Sequence, residues 1–301
     1  MDELGLVRRI RSLAKGAGSN VVLGIGDDAA IFRPRPGEDL VFTTDLLVED
    51  IHFRRDTHPP DAVGHKTLAR GLSDIAAMGA EPRFCLLSLA LSSCCDHKWV
   101  HAFYRGLLRL ARQTGTPLVG GDLAHADKIT CDIVVCGAVP KGKALRRDGA
   151  RPGDLLYVSG KLGGSALGLS LREGPGWKRH LRPQARLEAG RVIREQIKAS
   201  AGMDLSDGLS IDLHRLCVAS GVAAEIDQPI PIFPGATLDQ ALHGGEDYEL
   251  LFTASPKSAV PSNIGSLPVT RIGRIVKGKA GSVKLYGKPL PPLGYDHFRH
   301  S

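Results

Sequence analysis

The sequence predicts a mixed α/β protein with two domains. Three observations carry this prediction. Apolar β-branched runs alternate with amphipathic helical stretches, the 301 residues exceed one average domain, and a basic segment interrupts the pattern near the middle. We place the boundary at that segment, so the first domain spans 1–140 and the second spans 141–301. With 43% hydrophobic residues, the chain can bury a sizeable core.

The first domain alternates strands and helices. Residues 2–15 and 61–78 place apolar side chains at helical spacing, and Gly79 is a typical helix stop. A third helix is predicted from Asp96 to Thr114. Short apolar runs predict the strands, which we place at 21–25, 39–45, 84–91, 117–122 and 129–139.

The second domain opens with a predicted strand at 153–160, followed by the glycine-rich turn 161–165. That turn lacks the GK[ST] ending of a phosphate-binding P-loop, so we interpret it as a tight strand-to-helix connection. Residues 173–183 are polar and are predicted to be a loop. Helices are predicted at 166–171, 184–199 and 209–219, and strands at 222–227, 248–253, 269–276 and 282–285.

Composition excludes several classes of protein. The net charge of +7 comes without a dense Lys/Arg run interleaved with aromatic residues, which argues against a nucleic-acid-binding module. The six cysteines form no CxxC pair, so a structural zinc site is not expected. The N-terminal stretch has no secretory apolar region, and no apolar run is long enough to span a membrane. We therefore expect a cytoplasmic protein without a membrane partner.

Acidic residues recur beside apolar runs. Gly26-Asp27-Asp28 follows the first strand, and Thr43-Thr44-Asp45 ends the second. Asp74 lies in the last turns of a predicted helix, where the helix dipole disfavours a carboxylate. Gly120-Gly121-Asp122 ends a further strand, and Asp204-Leu205-Ser206-Asp207-Gly208 precedes a helix. Because strand ends are where open α/β folds place ligands, we expect these segments to converge.

Many carboxylates in one place repel each other, and divalent cations are the simplest way to hold them. The side chains available are oxygen donors, which favours Mg²⁺ over zinc or copper. The candidates are Asp27, Asp28, Asp45, Asp74, Asp122, Asp204 and Asp207, with Thr43, Thr44 and Ser206 as neutral donors. Such a site suits phosphoryl transfer, which needs mainly positioning and neutralisation of charge.

Phosphate would also be bound by a guanidinium near the domain boundary, and the sequence leaves Arg146 and Arg147 open for that role. His52 is either a structural histidine or a ligand contact. Neither a GxSxG elbow nor a supported Cys-His pair is visible. We therefore expect direct transfer between two bound substrates, with no catalytic side chain assigned.

Seven segments together resemble the thiamine-monophosphate kinase family. The motifs occur in the same order and run nearly from end to end: GIGDDAA at 24–30, TTDLLVEDIHF at 43–53, LSDIAAMGA at 72–80, GGD at 120–122, MDLSDGLSIDL at 203–213, GGEDYEL at 244–250 and GYDHF at 294–298. Residues 173–183 and 255–266 match none of these motifs.

The resemblance implies a fold and a reaction. It implies the fold of the aminoimidazole-ribonucleotide-synthetase-like superfamily, with an N-terminal domain that binds ATP and Mg²⁺ and pairs its sheet in a homodimer, followed by a C-terminal α/β domain. It also implies transfer of the ATP γ-phosphate to thiamine phosphate, with several Mg²⁺ ions.

Site roles are implied residue by residue. Mg²⁺ would be held by Asp28, Thr43, Thr44, Asp45, Asp74, Asp122, Asp204 and Asp207. ATP would contact Gly121, Asp122, Arg147 and Ser206. Thiamine phosphate would contact His52, Glu246 and Tyr295.

The principal alternative is a sibling ATP-using enzyme, such as aminoimidazole ribonucleotide synthetase or selenophosphate synthetase. Selenophosphate synthetase would need a reactive Cys or selenocysteine near an N-terminal Lys, and Lys15 has no such neighbour in sequence.

Overall fold

The computed structural model of the protein describes residues 3–14, 20–25 and 29–295. The chain divides into two compact units, the first made of residues 1–75 and 81–142 and the second of residues 76–80 and 143–301. Helices and strands alternate through both, so the predicted mixed α/β class is confirmed. No described helix is both long enough and apolar enough to cross a bilayer.

The first unit is built on one sheet with strand order β3-β6-β4-β5. Strand β6 is antiparallel to both β3 and β4, whereas β4 and β5 are parallel and are joined through a helix. The elements are α1 Glu3–Leu13, β1 Val21–Leu23, β2 Ile31–Phe32, β3 Glu38–Val48, α2 Pro60–Ala77, β4 Glu81–Leu91, α3 His97–Thr114, β5 Leu118–His125 and β6 Thr130–Pro140.

Helices α2 and α3 pack unusually closely because glycines lie at their crossing. A Cβ on Gly64 would lie 2.0 Å from the carbonyl oxygen of Phe103, and one on Gly106 would lie 1.8 Å from that of Asp61. The predicted limits of α3 hold, since Asp96 caps its N-terminus and Gly115 ends it at φ 65°.

Among the described residues, the opposite face of this sheet is only partly covered. The hairpin of β1 and β2 places Phe32 against Phe84, with ring centroids 4.9 Å apart. Further along β3, the side chains of Phe42 and Leu46 remain 61% and 51% exposed. Large apolar side chains in a row on one strand form a surface typical of protein contacts.

The second unit carries a larger sheet with strand order β14-β13-β9-β12-β7-β10-β8. The elements are β7 Leu155–Ser159, α4 Gly164–Leu171, α5 Gly174–Leu181, α6 Leu187–Val192, β8 Ala201–Leu205, α7 Leu209–Ser220, β9 Ala223–Ile226, α8 Leu238–His243, β10 Glu249–Ala254, β11 Asn263–Ile264, β12 Leu267–Val276, β13 Val283–Leu285 and β14 Lys288–Pro289. A 3-10 turn at Arg147–Gly149 precedes them, and a π-helical turn, Ile193–Ile197, follows α6.

The loop predicted at 173–183 is wrong, because α5 occupies most of it. Pro175 is tolerated since it lies in the first turn, where its missing N–H is not needed. Gly168 of α4 lies so close to α5 that a Cβ there would be 2.2 Å from the backbone of Gly176. Gly176, one of the glycines that make the segment look loop-like, is therefore a packing residue.

Candidate active site

In the first unit, α2 and β3 bring together three of the predicted metal ligands. Thr43 and Asp45 are two residues apart on β3, so their side chains share one face of the sheet. The hydroxyl of Thr43 donates a 2.5 Å hydrogen bond to Asp74 Oδ2. Asp45 Oδ1 lies 2.6 Å from Nη2 of Arg70. Since Arg70 and Asp74 are one helical turn apart, the helix and strand are joined by two adjacent polar pairs.

This donor set fits Mg²⁺ by its chemistry, because Thr43, Asp45 and Asp74 offer a hydroxyl and carboxylates. Within the described ranges, no group of three or more His, Cys, Asp or Glu residues is already gathered to hold a metal. The carboxylates of Asp45 and Asp74 are instead engaged by Arg70 and Thr43. The predicted ligand Asp28, and Asp27 beside it, lie outside the described residues.

Thr44 and Asp122 are not gathered with this group in the first unit. The side chain of Thr44 points to the opposite face of β3 and donates a 2.6 Å hydrogen bond to Asp132. Asp122 lies on β5, at the far edge from β3, which is about 14 Å away at the usual strand spacing. Gly121 beside it has φ 152°, and a Cβ there would be 1.9 Å from the carbonyl oxygen of Leu87. Only glycine fits this approach of β5 to β4.

The ring of His52 is held against the end of β3. Its Nδ1 accepts the backbone N–H of Val48 at 3.0 Å, and its own backbone N–H donates to the Val48 carbonyl at 2.9 Å. A nitrogen that accepts carries no proton, so this hydrogen bond selects the tautomer protonated at Nε2. The contact explains the orientation of His52 and leaves its predicted substrate role a proposal.

In the second unit, five predicted site residues surround the loop between β8 and α7. Asp204 lies in β8 and is 2% exposed, and Ser206 and Asp207 follow directly. The carbonyl of Ser206 accepts the N–H of Glu246 at 2.7 Å, and that of Asp207 accepts the N–H of Tyr295 at 3.1 Å. The hydrogen bonds fasten two distant segments, which were predicted to bind substrate, onto the predicted metal loop.

Asp212 anchors this loop from the first turn of α7. Its Oδ2 accepts the backbone N–H groups of Asp207 and Gly208 at 3.0 and 3.1 Å. Arg215 donates both to Asp212, at 2.9 Å, and to Asp207, at 2.5 Å. Burial, followed by the charge of Asp207, raises the pKa of Asp212 to about 6, although the hydrogen bonds and Arg215 act against this shift.

Two unusual backbone positions lie in the segment 246–248, the wall that faces the β8–α7 loop. Glu246 and Tyr248 have φ of 64° and 51°, values that non-glycine residues adopt rarely and that concentrate at functional sites. Gly208 has φ 123°, and a Cβ there would lie 2.9 Å from the backbone of His243. The loop and this wall therefore approach each other at a glycine.

Comparisons with known proteins agree with the geometry. The N-terminal domain model of AIR synthase related proteins matches residues 26–139, and the C-terminal domain model matches residues 151–286. The thiamine-monophosphate kinase of Bacillus subtilis (strain 168) is 35% identical, covering 99% of this chain and 100% of that protein. That of Escherichia coli (strain K12) is 36% identical, covering 98% of each. The chain belongs to the thiamine-monophosphate kinase family.

Solved structures of this family share the fold. The crystal structure of thiamine-monophosphate kinase from Stenotrophomonas maltophilia K279a matches with a TM-score of 0.83 and 36% identity, over 96% of this chain and 98% of that one. The structure of AaThiL complexed with AMPPCP and TMP matches with a TM-score of 0.80 and 33% identity, over 98% and 97%. Escherichia coli HypE, a hydrogenase maturation protein, is 23% identical at a TM-score of 0.73, a likeness of fold alone.

Arg147 lies away from the β8–α7 loop of this family member. Its carbonyl accepts from Ser220 at the C-terminal end of α7, while the loop lies at the N-terminal end. The 12 residues of α7 separate these points by about 18 Å. The Arg147 side chain is exposed, whereas Arg146 is paired with Asp148, with Nε 3.0 Å from Oδ1. The choice between them as the phosphate contact remains a prediction.

The family motif GGEDYEL contains two carboxylates whose roles are structural. Asp247 accepts the N–H groups of Gly163 and Ser165 at 2.5 and 3.2 Å, which occupies donors of the glycine-rich turn before α4. The turn is thus held by protein, as its lack of a P-loop ending predicts. Burial raises the pKa of Asp247, with Arg179 acting against it.

Glu249 is fully buried and accepts hydrogen bonds from Ser159, Arg179 and Arg186 at 2.6, 2.8 and 2.5 Å. The sequence placed Glu249 at the start of a strand without revealing its two arginine partners. A partial signal was available, since Glu249 begins the mostly apolar run ELLFTA, and a carboxylate buried in such a strand needs cations.

Proposed function

We propose that this protein transfers the γ-phosphate of ATP to thiamine monophosphate, giving thiamine diphosphate and ADP. The observation that carries the proposal is kinship over almost the whole chain, 35–36% identity, with proteins named thiamine-monophosphate kinase. A related structure, 33% identical, contains AMPPCP, an ATP analogue, together with TMP. Kinship at this level favours the kinase over aminoimidazole ribonucleotide synthetase.

The reaction needs no covalent enzyme intermediate. A terminal oxygen of thiamine monophosphate attacks the γ-phosphorus of ATP, and the bond between that phosphorus and the β,γ-bridging oxygen breaks. ADP leaves with the bond electrons. The chain contributes by positioning two polyanions and by neutralising their charge, which is the main requirement of phosphoryl transfer.

We propose metal ligands in each unit separately, among its carboxylates and hydroxyls. When bound, Mg²⁺ would neutralise the phosphate charge and polarise the γ-phosphoryl group. Its proposed ligands are Asp28, Thr43, Asp45, Asp74, Asp122, Asp204 and Asp207. Thr44 is implied by the resemblance as well, but its hydroxyl donates to Asp132 on the opposite face of β3. Support is strongest for Thr43, Asp45 and Asp74, which meet on one face, and for Asp204 and Asp207, which flank one loop.

The substrates are assigned to the residues that the family resemblance implies. Gly121, Asp122, Arg147 and Ser206 would bind ATP, and His52, Glu246 and Tyr295 would bind thiamine monophosphate. The backbone of Glu246 and of Tyr295 is hydrogen-bonded to Ser206 and Asp207 respectively, so substrate and metal contacts lie on one framework. Movement of this loop would therefore affect both.

We further propose a homodimer formed through the open face of the first sheet, where Phe42 and Leu46 are exposed. The division into an ATP- and metal-binding domain at 1–140 and a second domain at 141–301 is part of this proposal. We place the reaction in the cytoplasm, where buried thiols such as Cys85 and Cys217 stay reduced.

A product assay tests the proposed reaction. Purified protein is incubated with ATP, MgCl₂ and thiamine monophosphate, and thiamine diphosphate and ADP are quantified by chromatography. We expect equal amounts of the two products, and none of the first without ATP. A parallel arm replaces thiamine monophosphate with formylglycinamidine ribonucleotide. ADP release only in that arm would show that the protein is an aminoimidazole ribonucleotide synthetase and not the kinase.

A further inference from the structure

Arg70 forms an ion pair with Asp45, one of the predicted metal ligands. Its guanidinium Nη2 is 2.6 Å from Asp45 Oδ1, and their side chains are 14% and 19% exposed. One helical turn later, Asp74 accepts the hydroxyl of Thr43. Arg70 therefore shares its side of α2 with one predicted ligand and holds the carboxylate of another.

Helix α2 packs closely on the sheet beside the Arg70–Asp45 ion pair. Gly71 follows Arg70, and a Cβ at that position would be only 2.7 Å from Cγ2 of Val135 in the neighbouring strand β6. The helix backbone can approach the sheet because no side chain intervenes there. An ion pair formed in such a partly enclosed place is less screened by solvent than an ion pair on the surface.

We propose that Arg70 is a built-in competitor of the divalent metal at Asp45. The guanidinium neutralises the carboxylate before metal and nucleotide bind, and it must release Asp45 for that oxygen to enter a metal shell. This inference rests on the proposed function, because it takes Asp45 as a ligand of Mg²⁺. Competition lowers the affinity of the free protein for metal, so metal enters more readily together with the phosphates of the nucleotide.

Charge balance supports this role. A carboxylate with a charge-assisted hydrogen bond to arginine is stabilised by its partner, and that stabilisation is lost when a metal takes the oxygen. Removing the arginine charge leaves Asp45 with a higher affinity for any cation. An arginine that served only to hold the helix on the sheet would not influence metal affinity in this direction.

The chain supplies a matched control in Arg83. Its Nη2 is also 2.6 Å from a carboxylate oxygen, that of Glu38, and the two side chains are 15% and 16% exposed. Glu38 begins β3 and Asp45 lies seven residues further along, a separation of about 23 Å. Arg83→Met thus removes a similar pair of the same unit, together with a longer pair to Glu81 at 3.3 Å, without touching the candidate metal site.

The test measures binding of Mn²⁺ alone, by electron paramagnetic resonance of the free ion, without nucleotide or thiamine monophosphate. We expect Arg70→Met to bind Mn²⁺ about tenfold more tightly than wild type, equivalent to about 1.4 kcal/mol. Arg83→Met should match wild type, and Arg70→Lys, which keeps the charge, should lie between. If Arg70→Met does not fold by circular dichroism, Arg70→Gln replaces it with the same expectation.

One result would overturn the inference, and it differs from failure of the proposed function. Equal or weaker Mn²⁺ binding by folded Arg70→Met or Arg70→Gln removes the competitor role. If AMPPCP binding is weakened in the same variant, Arg70 is a phosphate contact instead. Failure of the metal assignment itself is recognised separately, because Asp45→Asn would then bind Mn²⁺ as well as wild type does.

Discussion

The carboxylate of Asp212 accepts the backbone N–H groups of Asp207 and Gly208 at 3.0 and 3.1 Å. Asp212 is fully buried, whereas Asp207 is partly exposed at the loop that carries the predicted ligands. A buried carboxylate thus fixes the backbone from which another carboxylate projects. Arg215, which contacts both, completes the arrangement.

We expect Asp212→Asn to reduce kcat/KM at least about tenfold. The amide keeps one acceptor and adds a donor that faces backbone N–H groups or Arg215, and a buried mismatch of this kind costs about 1–3 kcal/mol. Steady-state kinetics at varied Mg²⁺ concentration measure the effect. Asp239→Asn, at a side chain 88% exposed, is the control and should behave like wild type. Wild-type kinetics in Asp212→Asn would show that the loop holds its shape without this anchor.

Glu249→Gln should be among the most destabilising conservative changes in the second unit. It removes the charge that Arg179 and Arg186 share, and breaking a buried ion pair costs about 3–5 kcal/mol. Urea unfolding followed by Trp177 fluorescence, in a Trp99→Phe background, reports on this unit. Glu225→Gln breaks the more exposed pair with Arg274 and should cost much less, because solvent screens that pair. Similar losses in both variants would contradict the role assigned to the buried network.

Adjacent threonines on β3 should respond differently to substitution. Thr43→Val removes the hydroxyl that contacts Asp74, while Thr44→Val removes one that contacts Asp132 on the other face. We therefore expect Thr43→Val to raise the Mg²⁺ concentration needed for half-maximal activity several-fold, and Thr44→Val to raise it less. Titration of activity with Mg²⁺ compares them. The opposite ranking would mean that the Thr44 side chain reaches the metal.

Cysteine reactivity should follow burial. Burial raises the pKa of Cys85 and of Cys217 to about 12, so both stay protonated in the folded protein at pH 8. Cys94 is exposed. Because the thiolate is the nucleophile, iodoacetamide at pH 8 should label Cys94 first and reach Cys85 and Cys217 only after unfolding. Peptide mass spectrometry with and without urea checks this order. Rapid native labelling of Cys85 would show that its environment opens.

Above pH 9, the ordinary pKa of a thiol, unfolded chains release these protons while folded chains keep them. The unfolded state then binds fewer protons, so the stability contributed by the buried thiols falls as pH rises from 9 towards 12.

The sequence predicted elements whose local signals agree with their packing. Helix α2 was placed at 61–78 and is observed at Pro60–Ala77, because its apolar spacing and Gly79 are both local features. Strand β8, Ala201–Leu205, was missed because it is short and contains Gly202. Its strand character comes from pairing with β10, a contact with residues nearly 50 positions later. Local propensity does not contain that information.

In the candidate site too, the sequence predicted what depends on local signals and missed what depends on long-range contacts. Motifs located Asp45, Asp74 and Asp207, since each stands in a recognisable segment. Their partners Arg70 and Arg215 were not predicted, because pairing depends on how a helix is rotated against a strand or on the path of a loop. Thr44 was grouped with Thr43 by adjacency, although strand alternation sends neighbouring side chains to opposite faces. Because side chains alternate between the two faces of a strand, the sequence Thr43-Thr44-Asp45 alone predicts that Thr44 faces away from Thr43 and Asp45.

The open face of the first sheet should carry the dimer contact. Leu46 is 51% exposed on β3, and a charge at that position would be buried without a partner if two such faces meet. We expect wild-type protein to be a dimer by light scattering and Leu46→Asp to shift to monomer. Leu171→Asp, at a side chain 58% exposed in the second unit, is the control and should stay dimeric. A monomeric wild type, or a dimeric Leu46→Asp, would rule out pairing through this face.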